Sequence, residues 1–296
     1  MLVAFIFYPI DIPLFKMKLP PTQVDRHSPV KKCFNAQGWM LLCIIAINFI
    51  GCASITASLP PKTSDAEDYA AKTPNQALLF RLSNQNDSLK NFKGSGKIKI
   101  WHDGQLKMNE RAAWVGSEPV KLSIVILISG HPAIRMTSDG EWFYYYEARE
   151  GRPIFKKIPA TDANLKRFIF IPIKADDIVN LLAGKVPLRE HHSTLLEKQD
   201  SGEGYVLVLK RRWGSVIEKI YLDQSRSEVH QVKFFNRFGK LIYLARFDEM
   251  QTINGYRVPS RLTLSNEAGA EFQLDVNRYW PGVNVSSSTF VLKPPK

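Results

Sequence analysis

Period-two alternation dominates the chain from Lys97 to Trp280. KIKIW, LKMNERAAWVG, VKLSIVILIS, AIRMTS and EWFYYYEA alternate or run apolar, divided by Asp103-Gly104, Gly116-Ser117, Gly130-His131-Pro132 and Asp139-Gly140. A second set follows: GYVLVLKRR, VIEKIYLD, EVHQVKFF, KLIYLARFDEM, YRVPSRLTLS and EFQLDVNRYW, with turn residues between each pair. Strand runs bounded by such residues at close, regular intervals predict antiparallel hairpins. About eleven strands in a meander imply one large, strongly curved sheet or open barrel.

Two segments depart from this period. Leu78, Leu82, Leu89 and Phe92 recur at helical spacing after Thr73-Pro74, an N-cap and first-turn pair, and predict a helix from Pro74 to about Asn91. Residues 172–187 carry Ile178, Leu181 and Leu182 on one helical face. Asp176-Asp177 sit at the N-terminal end, Gly184 at the C-terminal cap and Pro187 beyond it. The only surface such an inserted helix can bury against is the concave side of the sheet. In VKLSIVILIS, Val120, Leu122, Ile124, Ile126 and Ile128 make one face while Val125 and Leu127 make the other apolar too, so this strand needs cover on both sides. Packed core explains these residues; a helix over a cupped sheet raises the alternative of an apolar cavity.

The N-terminal region follows a different logic. Trp39–Ile50 is an apolar run of 12 residues, interrupted by Asn48, preceded by Lys31-Lys32 and followed by Gly51-Cys52. A spanning helix needs about 20 apolar residues, whereas about 7–15 after positive charge is the pattern of a cleaved secretory signal. Phe49-Ile50-Gly51-Cys52 resembles the lipobox of bacterial lipoproteins, with Phe49 in place of the usual leucine. That resemblance implies cleavage after Gly51 and a lipid on Cys52, the last of the three cysteines, with no disulfide in the processed chain. MLVAFIFYPIDIPLF is broken by Pro9, Asp11 and Pro13, and translation is expected to start at Met17. The expected organisation is a signal region over 1–51, a small, polar, proline-containing lipidated tether over 52–73, and a β domain over 74–296.

Charge changes the partner class. Residues 1–51 hold five of the 40 Lys and Arg and two of the 28 Asp and Glu, which leaves residues 52–296 near +9. For an exported, lipid-anchored chain the basic balance points to anionic lipid rather than nucleic acid. The one tight run, Lys210-Arg211-Arg212, reads as a solvated strand end. His191-His192 cannot chelate one metal on an extended segment, because adjacent side chains point to opposite faces. Gly-x-Ser-x-Gly and phosphate-binding glycine loops are absent. No enzyme, metal or cofactor is expected, with a lipid hydrolase as the remote alternative.

The order of several segments resembles the LolA/LolB family of lipoprotein carriers: ERAAW (Glu110–Trp114), SDGEWFYYY (Ser138–Tyr146), IPIKADDIVNLLAGKVP (Ile171–Pro187), INGYRVPSRLTL (Ile253–Leu264) and STFVLKPP (Ser288–Pro295). The resemblance implies a mainly β protein: a half-open antiparallel β-barrel with an N-terminal helix and a lid helix over its concave face. It also implies an apolar interior for acyl chains, reception or localisation of lipoproteins, exchange with a soluble periplasmic carrier, and a monomer lipid-anchored at the outer membrane facing the periplasm. Ala53, where the family's retention signal is aspartate, favours that address. The alternative is a lipid- or glycolipid-binding scaffold without insertion activity. The interior is expected to be lined by Trp114, Leu122, Ile124, Ile126, Trp142, Tyr144, Ile178, Leu181 and Leu182. Arg111 matches the family's lid-latching arginine, although alternation puts it opposite Trp114. The family receptor shows an apolar residue, often leucine, at a turn that enters the membrane. The corresponding turn here, Ser129–Ile134, is expected to show only Pro132 and Ala133.

Overall fold

The computed structural model describes residues 64–200 and 202–294; Trp39–Ile50 and Cys52 lie outside them. Helix α1 (Ser64–Asn84) precedes six strands: β1 (Asn91–His102), β2 (Gln105–Ser117), β3 (Lys121–Ile128), β4 (His131–Ser138), β5 (Trp142–Glu147) and β6 (Ile154–Pro159). Two helices follow, α2 (Asp162–Ile169) and α3 (Ala175–Leu182). Seven strands follow, β7 (Ser193–Lys198), β8 (Tyr205–Lys210), β9 (Val216–Leu222), β10 (Val229–Phe235), β11 (Leu241–Ile253), β12 (Tyr256–Ser265) and β13 (Glu271–Pro281), and then a short helical turn, Ser287–Phe290.

All thirteen strands form one antiparallel sheet in the order β6-β5-β4-β3-β2-β1-β13-β12-β11-β10-β9-β8-β7. The first and last strands pair at its centre, Ile98 opposite Leu274. This is an up-and-down barrel lacking one pairing. The strands left as edges, β6 and β7, flank the α2–α3 insertion, and α3 packs on the sheet against β2, β3 and β12.

The face that carries α3 is the inner face. Cross-strand register runs it through Ile98 (β1), Trp114 (β2), Ile124 (β3), Met136 (β4) and Tyr145 (β5) on one half. On the other half it runs through Leu274 (β13), Leu262 (β12), Phe247 (β11), Val232 (β10) and Ile220 (β9). Two cross-strand pairs set the packing at the centre. Gly94 faces Trp114 and Gly116 faces Phe92, and a Cβ on either glycine would lie 2.4 Å from the indole or 2.2 Å from the phenyl ring. A glycine inside a strand here makes room for a ring from its neighbour.

Three expectations change. The strand count is thirteen, not eleven; the two missed strands are β6 and β7, whose IFKKIP and STLLEK carry the charged, half-exposed character of sheet edges. The first helix begins at Ser64, inside the expected tether, contains Pro74 in its interior and stops at Asn84. Asn86 ends it in the left-handed region (φ 54°), and its amide donates to the carbonyls of Ala183 (2.8 Å) and Arg257 (2.6 Å). Leu89 and Phe92 are fully buried as expected, but on the link and on β1. Finally, β3 and β4 are joined by the two-residue turn Ser129-Gly130, both at positive φ, and Pro132 pairs with Leu127 inside the ladder. The tip therefore offers serine and glycine, not Pro132 and Ala133.

Candidate functional site

Helix α2, which the period-two reading passed over, covers the β3–β5 half. Thr161 caps it, its hydroxyl accepting the Asn164 amide at 3.3 Å, and Phe170 closes it in the left-handed region. Phe168 lies against the rings of Phe143 (4.7 Å) and Tyr145 (4.9 Å). Phe170 stacks on His102 at 4.2 Å, and its carbonyl accepts from the Asn266 amide at 3.0 Å. Helix α3 covers the centre. Its C-terminal carbonyls are held from three directions: Leu182 by the Tyr279 hydroxyl (3.2 Å), Ala183 by Asn86 and Gly184 by Gln85 (2.8 Å).

Between these helices and the sheet the packing is incomplete. A cavity of about 40 Å³ is lined by Leu122, Ile124, Met136, Ser138 and Phe143 from the sheet and Leu165, Phe168, Ile169, Ala175 and Ile178 from the helical segment. A second, of about 20 Å³, is lined by Ile98, Trp114, Ile124, Leu262, Leu264, Phe272 and Leu274 with Ile178 and Leu182. Ile124 and Ile178 line both, so one apolar seam runs beneath α3. A single water needs roughly 10–15 Å³, and pockets for drug-sized ligands measure about 300–1,000 Å³. The seam as it stands is far too small for an acyl chain, which enters only if the helices lift.

Two larger grooves lie outside the seam. One of about 380 Å³ is lined by Asp87, Glu118, Asp176, Asp177, Lys185 and Arg189, a charged wall that no hydrocarbon would desolvate. The other, about 350 Å³, is an open trough between Arg135, Tyr146 and the C-terminal residues Val291, Leu292 and Lys293.

The expected lining residues separate into three groups. Trp114, Leu122, Ile124, Ile178 and Leu182 border the seam. Ile126 (inner face of β3) and Leu181 (α3) are fully buried but border neither cavity, so they are packed core. Trp142 and Tyr144 point to the outer face, and their assignment to the interior is corrected. Register with β4 sets Phe143 opposite Ser138 and Tyr145 opposite Met136, which turns Trp142 and Tyr144 outward. There the Tyr144 hydroxyl donates to Asp139 at 2.9 Å and the Lys157 ammonium sits 4.2 Å from the centre of the Trp142 ring.

Arg111 is exposed on the outer face, opposite Lys97 and Leu127, and cannot latch α3. A different arginine does. Arg189, on the segment leading to β7, forks both oxygens of Asp177 on the first turn of α3, through Nη1 at 2.8 Å and through Nη2. Tyr243 on β11 donates its hydroxyl to the same carboxylate at 2.8 Å. The Arg189 guanidinium lies 4.6 Å from the Phe234 ring centre, and its amide donates to Glu218 Oε2 on β9 at 2.9 Å. Asp177 and Glu218 are almost wholly buried. Burial alone would lower the Arg189 pKa, but the hydrogen bond and charge of Asp177 outweigh it and raise it. Burial raises the Tyr243 hydroxyl well above its usual range. Glu218 is pushed up to about 8, again by burial, against the opposing Arg189 amide bond, and its Oε1 has no partner.

Sequence reading missed this network for identifiable reasons. Asp177 was explained by the helix dipole, and Glu218 stands beside Lys219 in VIEKIYL, where a charged pair reads as solvent-facing. The available signal was that Glu218 falls on the same alternation as Ile220 and Leu222. His191 and His192 are both exposed, and among the described residues no group of His, Cys, Asp and Glu could hold a metal.

No family model matches the chain, and no curated protein does. The chain is similar to solved structures at low identity. One is a LolA superfamily protein from Nitrosomonas europaea, at 14% identity over 74% of this chain and 97% of that one, TM-score 0.49. Another is a DUF1329 family protein from Desulfovibrio piger, at 14% identity over 74% and 96%, TM-score 0.49. The mainly β architecture with helices laid on its inner face rests on the sheet itself, and the reading of function rests on the seam.

Proposed function

We propose that the protein binds acyl chains of lipids or lipoproteins in the seam between the inner sheet face and α2–α3, with no enzymatic step. The observation that carries this reading is a pair of underfilled, almost wholly apolar spaces that share Ile124 and Ile178 beneath a helix clipped down by ion pairing. Packed cores close such gaps, because each void forfeits dispersion contacts. A seam that must also admit a chain has reason to keep them.

On this reading the protein is anchored through Cys52 to the outer membrane and faces the periplasm, where a soluble carrier can reach it. Cys52→Ser should free the protein from membranes after a carbonate wash or leave an unprocessed precursor; parent-like fractionation would refute the anchor. Holding lipid without inserting it is favoured over delivery, because the β3–β4 turn shows Ser129-Gly130 rather than an apolar residue.

Ala175→Leu tests the seam. Ala175 borders the larger cavity, so added methyl groups should fill it, with a stability gain of about 1 kcal/mol or less after strain, since overpacking costs about as much as burial returns. Binding of a fluorescent fatty acid should fall about tenfold while the urea midpoint holds or rises. Unchanged probe binding would place the ligand elsewhere.

A further inference from the structure

Two hairpins on the β7–β13 half end in the same chemistry. Arg211-Arg212-Trp213-Gly214-Ser215 joins β8 to β9, and Asn236-Arg237-Phe238-Gly239-Lys240 joins β10 to β11. In each loop the first amide donates to the fifth residue's carbonyl, both at 2.9 Å. The glycine amide donates back to the first carbonyl, at 2.9 and 3.1 Å, with glycine φ of 78° and 77°. The tip of both turns is an arginine followed by an aromatic residue. Trp213 is 90% exposed and Phe238 77%, the two most exposed large apolar side chains among the described residues. Each arginine lies over its neighbour's ring, Arg212 at 6.0 Å and Arg237 at 4.6 Å.

The turn does not require this. Asn266-Glu267-Ala268-Gly269-Ala270, between β12 and β13, closes with the same Asn266-to-Ala270 bond (3.1 Å) and a glycine at φ 74°, yet its tip is Glu-Ala. Turn geometry therefore does not dictate the arginine–aromatic tips. They also stand side by side. Hairpins of a meander alternate ends, so the β8–β9 and β10–β11 turns share one end of the sheet. The pairs Lys210–Val216 and Glu218–Phe234 set them level, and two strand spacings put them roughly 10 Å apart. Lys210, Arg211, Arg212, Arg237 and Lys240 surround them, while the segment Glu190-His191-His192 that enters β7 and the β12–β13 turn with Glu267 add exposed carboxylates at this end.

We propose that these two tips dock the protein on an anionic bilayer, with Trp213 and Phe238 seated at headgroup depth and the arginines against lipid phosphates. The amphipathic indole of Trp213 favours that depth, Phe238 adds apolar area that buries at the headgroup boundary, and basic side chains are drawn to an anionic leaflet. The docking is independent of what the seam binds, and it adds to the Cys52 anchor a contact that would fix the orientation of the domain.

The test uses the full chain reconstituted in vesicles containing phosphatidylglycerol and lipids brominated on their acyl chains, which quench only tryptophans that reach them. Parent protein should show a quenched component of emission that Trp213→Leu removes and that Phe238→Trp, added to the Trp213→Leu chain, restores. Arg212→Glu with Arg237→Glu should reduce it at low salt, and so should vesicles of phosphatidylcholine alone. Equal quenching of parent and Trp213→Leu would overturn the proposal and leave a protein partner as the occupant of these tips. Quenching indifferent to lipid charge and to the arginines would overturn its electrostatic half.

Discussion

Asp177→Ala should destabilise the protein by about 3–5 kcal/mol, the usual loss when one partner of a buried ion pair is removed. The cost arises from what remains: the Arg189 guanidinium against the Phe234 ring without its counter-charge, and the Tyr243 hydroxyl without an acceptor. Tyr243→Phe should cost only about 1 kcal/mol, one hydrogen bond's net contribution. Because the Asp177 clasp holds the first turn of α3, its removal should also speed entry of an apolar probe into the seam. Urea melts and probe-binding kinetics on the same variants read both effects. Stability within 1 kcal/mol of the parent, roughly, would show that the pair does not hold the helix down.

The second large effect is a pH dependence of unusual sign. Glu218 is raised from 4.5 unfolded to about 8 folded. A raised carboxyl contributes stability that is fully present below the unfolded pKa and is lost as pH rises toward the folded one. At about 1.4 kcal/mol per unit, stability should fall on the order of 4 kcal/mol between pH 4.5 and 8 from this group alone. Asp139, Asp223 and Asp275 are held below their usual range by hydrogen bonds that outweigh the opposing effect of burial, and they act in the opposite sense at acid pH. The comparison is therefore parent against Glu218→Gln. The glutamine keeps the carbonyl that accepts the Arg189 amide and cannot ionise. Its advantage over the parent should grow steadily from pH 5 to pH 8; parallel curves would mean that Glu218 ionises normally.

Much of the sheet was legible because its turns use residues that need positive φ. Asp103-Gly104 and Asn254-Gly255 occupy the left-handed region at both positions, as two-residue hairpins demand. The α3 helix was legible from its ends, and Gly184 sits at φ 72° with the Arg257 carbonyl where a Cβ would be. The direction of β5 was not. EWFYYYE is aromatic on both faces, and both faces are covered there: α2 packs on Phe143 and Tyr145, while beyond the sheet the C-terminal turn Ser287–Phe290 packs on β3 and the Ser123–Thr137 pair is buried. Period two cannot choose a face when neither is wet. Only the pairing with β4 does so, and that is a long-range fact.

The lining of the seam was legible where a single strand decided it, as for Leu122 and Ile124. It was lost where a second helix contributed, as for Leu165, Phe168 and Ile169, although Thr161 was a readable cap. Leu181 shows the remaining ambiguity. It shares a helix with Ile178, and only the three-dimensional packing separates a core position from a wall.

Mapping the adducts of a photoactivatable fatty acid, bound to the intact protein and identified by peptide mass, tests the central claim most directly. Labelling should concentrate on peptides carrying Ile124, Phe168, Ile178 and Leu182, and should fall when Ala175→Leu fills the space. Adducts confined to the outer trough of Arg135, Tyr146 and Val291, or scattered without regard to Ala175→Leu, would contradict it.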